Sequence, residues 1–466
     1  MKWLITAILL LASFQGIALQ AEGSPQEPLQ EEAPRFLLES ITVAGAREAA
    51  GRIVEAETLL REGETYGEED LALAVARVQR LPFVLEADFS LRKGSQRGAY
   101  ELVIQVEEAR RFFFDHSVRA SFFDEAIDLD QTIGDGFILS LPGLVGVRQF
   151  VGRSGVVFAA LDTVEGAQVG FTRYDLFGRG VVASVAYSGF FNEQVCCAAE
   201  VLPYALDPSF VTWGWDDSST RLSVEAAVPF GPTDALRFGW SRRDGEGSTR
   251  SEVFGVYRGG IFFVDAGASD LTLDRAELKW VRDTSDDPLV PTRGYTLSGG
   301  LEWTAFETGP LRAFRQETNY LAEPLPGQQS ELTAAVVSGS RHWRLTPRQT
   351  VSGEGRLSIG QASLRQLPTA TGVVPRQELD AYSGSAGLRH ALRLKQSRGA
   401  RGFSDLYLET AAEIGIETTS PKLSASAMAT TPNPLERLEL SVGVLFRNVW
   451  GLLRFRLSYL DVGEVP

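Results

Sequence analysis

The residues able to do covalent or metal chemistry are few and scattered. Three histidines stand at His116, His342 and His390, with no His-Glu-x-x-His helix and no Cys/His spacing that would close a metal shell. The only cysteines are the neighbours Cys196 and Cys197, which cannot staple distant segments together. They read as ordinary strand or loop residues, with a vicinal disulfide as the alternative. No Gly-x-Ser-x-Gly elbow presents a nucleophile. Gly178-Arg179-Gly180 lacks the rest of a nucleotide fingerprint. The expectation is a protein that is not an enzyme and uses neither cofactor nor metal. Sixty acidic residues against 45 basic ones leave a formal charge of −15. That excludes nucleic acid as a general partner, because phosphate binding needs clustered cationic surface.

The elements that carry these residues fall into four stretches. Lys2 followed by the apolar run Leu4 to Phe14 and the small residues Gly16, Ala18 and Ala21 reads as a signal peptide over residues 1–21. No cysteine is present there to take a lipid anchor. Residues 22–35, rich in Glu, Gln and Pro, read as a flexible linker. Residues 36–108 read as a small α+β domain. Ile41 and Val43 alternate into an Ala44-Gly45 turn, and Ile53, Ala56 and Leu60 fall at helical spacing over 52–61. After Gly63, a second helix spans Glu68 to Arg80, with Leu71, Val75 and Val78 on one face. Acids crowd its start, where the helix dipole favours them, and Thr65 with Glu68 has capping-box spacing. Two extended runs, Val84 to Arg92 and Tyr100 to Val106, complete a β-α-α-β-β order.

From residue 109 to 466 the hydrophobic period becomes two. Tyr295, Leu297, Gly299, Leu301 and Trp303 share one face, against Thr296, Ser298, Gly300 and Glu302. Leu222, Val224, Ala226 and Val228 oppose Arg221, Ser223 and Glu225. Leu453, Phe455, Leu457 and Tyr459 oppose Arg454, Arg456 and Ser458, and Leu438 to Phe446 alternate in the same way. A soluble sandwich also alternates. Here the segments run nearer ten residues than five, and Trp213, Trp215, Trp240, Trp280, Trp303, Trp343 and Trp450 all lie in this part, many at segment ends. Mean hydropathy is −0.05. Beyond the N-terminus no apolar stretch reaches the ~20 residues a helical span needs. A transmembrane antiparallel β-barrel reconciles these facts, and 20 to 25 residues per strand and connection sets the expectation at ~16 strands.

Three passages resemble the POTRA-bearing outer-membrane barrel-assembly superfamily, the bacterial surface-antigen family with its BamA-like and TamA-like members. The first is the β-α-α-β-β block, with Glu62-Gly63-Glu64-Thr65-Tyr66 before its second helix and Leu81-Pro82-Phe83-Val84 after it. The second, Tyr174-Asp175-Leu176-Phe177-Gly178-Arg179-Gly180, is similar to the family's Asn-Leu-Phe-Gly-x-Gly turn. The third is Asp286-Asp287-Pro288 followed by Pro291-Thr292-Arg293-Gly294-Tyr295, which resembles its periplasmic Pro-Thr-Arg-Gly turn. The turn chemistry also stands alone: Gly178, Gly180 and Gly294 suit positive φ or close approach, and Pro291 cannot donate to a ladder.

The resemblance implies a single POTRA domain in the periplasm and a barrel in the bacterial outer membrane. It also implies handling of unfolded exported polypeptides, by strand addition at the POTRA edge and at the barrel seam. Outer-membrane lipid and periplasmic accessory proteins or chaperones would be its partners. A dedicated translocator of one secreted protein, or a plain channel, are the alternatives. The family folds a Val-Arg-Gly-Phe/Tyr loop tip into the barrel, where its Arg meets an acid. Arg401-Gly402-Phe403 matches the letters, whereas Arg389 after Tyr382-Ser383-Gly384-Ser385-Ala386-Gly387-Leu388 matches the context but precedes His390. Glu409 and Glu413 are the available partners, since residues 422–430, where relatives place an Asp, have none. The segment from Gly451 to Tyr459 resembles the family's penultimate strand, and the last strand, ending in an aromatic residue, is missing before Val465-Pro466.

Overall fold

The computed structural model describes residues 34–123, 137–140, 143–162, 166–190, 212–215, 219–255, 260–288, 290–308, 311–315, 329–365, 367–369, 372–374, 377–397, 404–421 and 435–464. The signal peptide, nearly all of the linker, Cys196, Cys197, Arg401, Gly402, Phe403 and residues 422–430 lie outside them.

The N-terminal unit runs β1 (Arg35–Ala44), α1 (Glu48–Thr58), β2 (Thr65–Gly67), α2 (Glu68–Gln79), β3 (Val84–Lys93) and β4 (Ala99–Glu108). Its four-stranded sheet has the order β2-β1-β4-β3, with β1 and β4 parallel. Sequence periodicity missed β2, which is three residues long and borders β1 only over Arg35–Leu37. It also started α1 four residues late. Both helices bury one stripe each, Ala50, Ile53 and Val54 from α1 and Leu71, Ala74 and Val78 from α2. These close over Leu38, Leu102 and Ile104 of the sheet. The cap of α2 sits two residues beyond the expected one: the Gly67 N–H donates to Asp70 Oδ2 at 2.9 Å. An acid three residues into the helix thus does the work assigned to Glu68.

After a three-residue link the barrel begins. Its first half comprises β5 (Phe112–Phe123), β6 (Phe137–Ser140), β7 (Gly143–Val151), β8 (Gly155–Asp162), β9 (Gly166–Leu176), β10 (Val181–Gly189), β11 (Thr212–Trp215), β12 (Thr220–Pro229) and β13 (Asp234–Gly255). Then follow β14 (Gly260–Asp283), β15 (Gly294–Thr308), β16 (Leu311–Arg315), β17 (Gln329–Thr346) and β18 (Gln349–Arg365). A small hairpin, β19 (Leu367–Thr369) with β20 (Gly372–Val374), precedes β21 (Gln377–Ser397), β22 (Ser404–Pro421), β23 (Leu435–Asn448) and β24 (Gly451–Glu464).

The ring is closed. Three segments continue a neighbour rather than add a wall position: β6 with β7 both border β5, β11 with β12 border β13, and β15 with β16 border β14. Among the described residues the wall therefore has 15 strands, not ~16. Parity then dictates the closure. In a ring of alternating directions an odd count leaves the first and last strands pointing the same way. Accordingly β24 pairs with β5 in parallel, from Gly451 opposite Phe114 to Leu460 opposite Phe123.

The two faces of the wall differ as the period of two requires. On one, Thr296 and Ser340 hydroxyls meet at 2.7 Å, as do those of Ser298 and Ser338. Lys279 lies 2.6 Å from Glu277 and 2.7 Å from Glu302, and Arg356 lies 3.1 Å from Glu302. On the other, Leu222, Val228, Leu236, Phe238, Leu278, Leu301, Val337, Leu388, Leu440, Phe455 and Leu457 stand bare. An apolar belt around a whole barrel far exceeds the patch a water-soluble surface tolerates. The polar face is thus the enclosed one and the apolar belt the outward one. No helix among the described residues is long and apolar enough to cross a membrane.

Candidate functional site: the barrel mouth and its seam

Four parts meet at the end of the barrel that carries the N-terminal domain. The first is the α2–β3 connection. Phe83, 1% exposed, wedges between Phe150 and Tyr174, with edge-on ring contacts of 5.0 and 6.1 Å. The domain core therefore continues into the barrel through Phe150, Val156 and Tyr174. Arg148 of β7 donates to the Pro82 carbonyl at 2.7 Å while its guanidinium covers Phe113 at 4.5 Å.

The second part is the turn at residues 174–180. Gly178 and Gly180 have φ near 64° and 67°, and Asp175 Oδ1 accepts the Gly180 N–H at 2.9 Å. A Cβ on Gly180 would stand 2.5 Å from Leu59 Cδ2 of the domain. This glycine serves close approach between the two units. Phe177 points away from that contact.

The third part is the arc 284–293, which holds Pro291 and Arg293 and runs into Gly294. Asp286 Oδ1 accepts the N–H of Thr292 at 2.8 Å and of Arg293 at 3.2 Å, curling the arc around one carboxylate. Gly294, at φ 93°, leaves room for the Thr284 carbonyl, which a Cβ would meet at 2.3 Å. Arg293 itself is mostly exposed, 3.8 Å from Asp286. Arg80 of the domain donates to the Asp283 and Ser285 carbonyls, 3.0 Å each, and its Nε lies 3.2 Å from Asp283 Oδ2. Burial lowers the pKa of Arg80, opposed by Asp283. Farther along, Asp287 accepts from Arg447 at 3.0 Å, and Arg447 also donates to the Leu85 carbonyl of β3 at 2.6 Å. Val290 is buried against Ala391 and Leu445, beside Tyr407 and Leu452. The arc thus leaves β14, crosses under the lumen and rests on the inner wall of β21 to β24.

The fourth part is the seam. Phe114 N–H donates to the Trp450 carbonyl at 2.9 Å, and Arg110 N–H to Val449 O at 2.9 Å. At Gly451 a Cβ would fall 1.7 Å from Phe114 O, so only glycine lets β24 come this close. Beside the seam, Arg389 is not at a loop tip. It lies within β21, between Ser352 and Ala411 in register, on the enclosed face. Glu409 and Glu413 share that face on β22. Glu409 is buried and pairs with Arg454 of β24 at 3.5 Å. Arg456 lies within reach of the charges of Arg389, Arg454, Glu409 and Glu439.

The domain sheet has two edges, the three-residue β2 and the longer β3. Near the barrel the β3 edge is already occupied: the Gln79 amide accepts the Ala87 N–H at 2.6 Å and donates to Leu85 O at 2.8 Å. Asp88 Oδ1 accepts the Phe89 N–H at 2.8 Å. The distal stretch toward Lys93 is the open part.

Sequence reasoning had no access to Arg80, Arg148 or Arg447, whose partners lie far away in the chain. The one available signal was Phe83, a large aromatic placed directly after Leu81-Pro82. Among the described residues no cluster of His, Cys, Asp or Glu is placed to hold a metal. His342 instead bridges Ser340 at 3.0 Å and Ser352 at 2.7 Å.

No family model and no curated protein matches the chain. Among solved structures it is similar to BamA from Haemophilus ducreyi lacking POTRA domains 1-3, at 11% identity over 92% of this chain and 82% of that one, TM-score 0.39. CdiB from Escherichia coli aligns at 12% identity over 92% and 87%, TM-score 0.30. CdiB from Acinetobacter baumannii aligns at 9% over 89% and 70%, TM-score 0.34. Scores this low add no weight to what the geometry carries.

Proposed function

We propose that this chain is an outer-membrane barrel that inserts, assembles or translocates other exported polypeptides, with its N-terminal domain in the periplasm. The observation that carries the reading is the closure. The wall ends in a parallel pair between its first and last strands, a pairing slightly weaker per residue than the antiparallel ladders around it. If β5 and β24 part, each exposes a row of unpaired N–H and C=O groups in lipid, where no water can satisfy them. An arriving strand is then the natural partner, and main-chain bonding makes the affinity indifferent to its sequence. The distal edge of β3 offers a second ladder on the periplasmic side. The three sequence passages that resemble the barrel-assembly superfamily support the same reading.

The mechanism needs no bond chemistry from the chain. The domain is held against the mouth by Phe83, Arg80, Arg148 and Arg447, so a client bound on β3 stays at a fixed distance from the seam. Outer-membrane lipid, unfolded exported clients and periplasmic accessory proteins are the partners this implies. Depletion followed by quantitative outer-membrane proteomics tests it. Loss of many barrel proteins is the expected result. Loss of one secreted protein would indicate a dedicated translocator, and no change would leave a channel.

A further inference from the structure

The turn at 174–180 has two sides, and the fold explains only one. Tyr174 and Gly180 face the N-terminal domain, whereas Phe177 is 86% exposed. It sits at φ 63°, a left-handed conformation that a side-chain-bearing residue adopts at a cost. The turn is not slack. Asp175 accepts the Gly180 N–H through Oδ1 at 2.9 Å and the Gly178 N–H through its carbonyl at 3.4 Å. The ring is therefore held outward. On the adjacent turn Phe230 is 62% exposed, and its N–H is tied to Asp234 O at 3.1 Å. Beside the Phe177 ring, and ending one residue short of Phe230, lies a hollow of about 540 Å³ lined by Phe177, Arg179, Val181, Val228 and Pro229.

This hollow continues the apolar belt. Val228 pairs with Leu236, and Leu236 pairs with Trp280. Trp280 has its ring at the belt edge and its Nε1 donating to Asp234 Oδ1 at 3.0 Å. That is the arrangement of an interfacial tryptophan. Phe230 and Phe177 stand just beyond this level, with Arg179 beside them. We propose that Phe177, Phe230 and Arg179 form a phospholipid-gripping foot on the barrel rim. The two rings enter the leaflet on the N-terminal-domain side at the glycerol level, and the guanidinium meets lipid phosphate, as long cationic side chains do at interfaces. The inference rests on the reading that the belt faces a membrane. Because the same turn packs its other side on Leu59 and Phe83, the foot sets the height of the domain relative to the bilayer.

The test is site-directed spin labelling of the full chain, with Cys196 and Cys197 replaced by Ser, in vesicles of phosphatidylethanolamine and phosphatidylglycerol. Labels go on F177C, F230C, the mid-belt L301C and the mouth residue R293C. Collision with oxygen exceeding collision with a water-soluble nickel chelate at 177 and 230, as at 301 and opposite to 293, is the expected result. If 177 and 230 behave like 293 while 301 stays in lipid, the foot is a water-facing surface, free for a soluble partner, and the proposal is overturned. A nickel-accessible label at 301 would instead sink the spanning reading itself.

Discussion

The junction between domain and barrel and the seam between β24 and β5 lie a few residues apart and are built on opposite terms. The junction is buried and specific. One phenylalanine is buried in an aromatic slot, and arginines are spent on named carbonyls and carboxylates across it. The seam is a main-chain ladder of ten register pairs, opened by a glycine that no other residue can replace. The side of the molecule that must hold a distance is locked with side chains. The side proposed to exchange partners relies on bonds that any strand can make.

Breaking the junction should therefore cost more than loosening the seam. The largest effect is expected from Phe83→Ala, which empties a fully buried aromatic site and should remove about 3–5 kcal/mol. Limited proteolysis should then release the domain while the barrel keeps its heat-modifiable migration in SDS gels. A domain that stays protected would mean Phe83 does not hold it.

Arg447→Met comes next. It takes the guanidinium from Asp287, which still accepts the Val290 N–H, and removes the arginine donor from Leu85 O, where the Gln79 amide also donates. Because Asp287 is partly solvated, about 2 kcal/mol is a reasonable share of the cost of breaking a buried pair. A double-mutant cycle with Asp287→Asn checks this, since additive losses would deny the contact.

At the seam, Gly451→Ala forces a Cβ onto Phe114 O and should cost about 1–3 kcal/mol by overpacking. The readout is a lower temperature of gel-shift conversion, with the domain still protected from protease.

The smallest effect concerns pH. Burial raises the pKa of Glu57, against the pull of Arg77 at 2.7 Å and of Arg80. Its folded pKa exceeds its unfolded one, so the docked state binds the proton more tightly. The contribution of this group to stability is greatest below the unfolded pKa. It declines as pH rises through the window up to the folded value. Protease release of the domain should therefore ease in the parent as pH rises above the ordinary carboxylate range, and Glu57→Gln should flatten that slope. Equal slopes in both would contradict the assignment.

The same contrast decides what was legible in the sequence. Alternation needs only neighbours, so the faces of Tyr295 to Trp303 and of Leu453 to Tyr459 were readable from residue types. The strand count was not. Sequence length gives only an average number of residues per strand, and an average cannot reveal parity. Parity matters most, because it turns the closing pair parallel. The glycines of the two motif turns were legible as tight turns, but that Gly180 is there for Leu59 needed the fold. Arg389 is a candidate loop-tip arginine by sequence because Tyr382-Ser383-Gly384-Ser385-Ala386-Gly387-Leu388 before it matches the family's motif context. In β21 those small residues are wall positions. The contacts of Arg80, Arg148 and Arg447 span 66 to 362 residues and leave no local trace.

One measurement bears on the central claim most directly. Ser458 and Ser121 are register partners across the seam. With Cys196 and Cys197 replaced by Ser, S121C and S458C should join on oxidation. A strain living on this variant should then lose outer-membrane barrel proteins while oxidised and recover them on reduction. Complete cross-linking with barrel levels unchanged would show that β5 and β24 never need to part, and the account of how this protein works would be wrong.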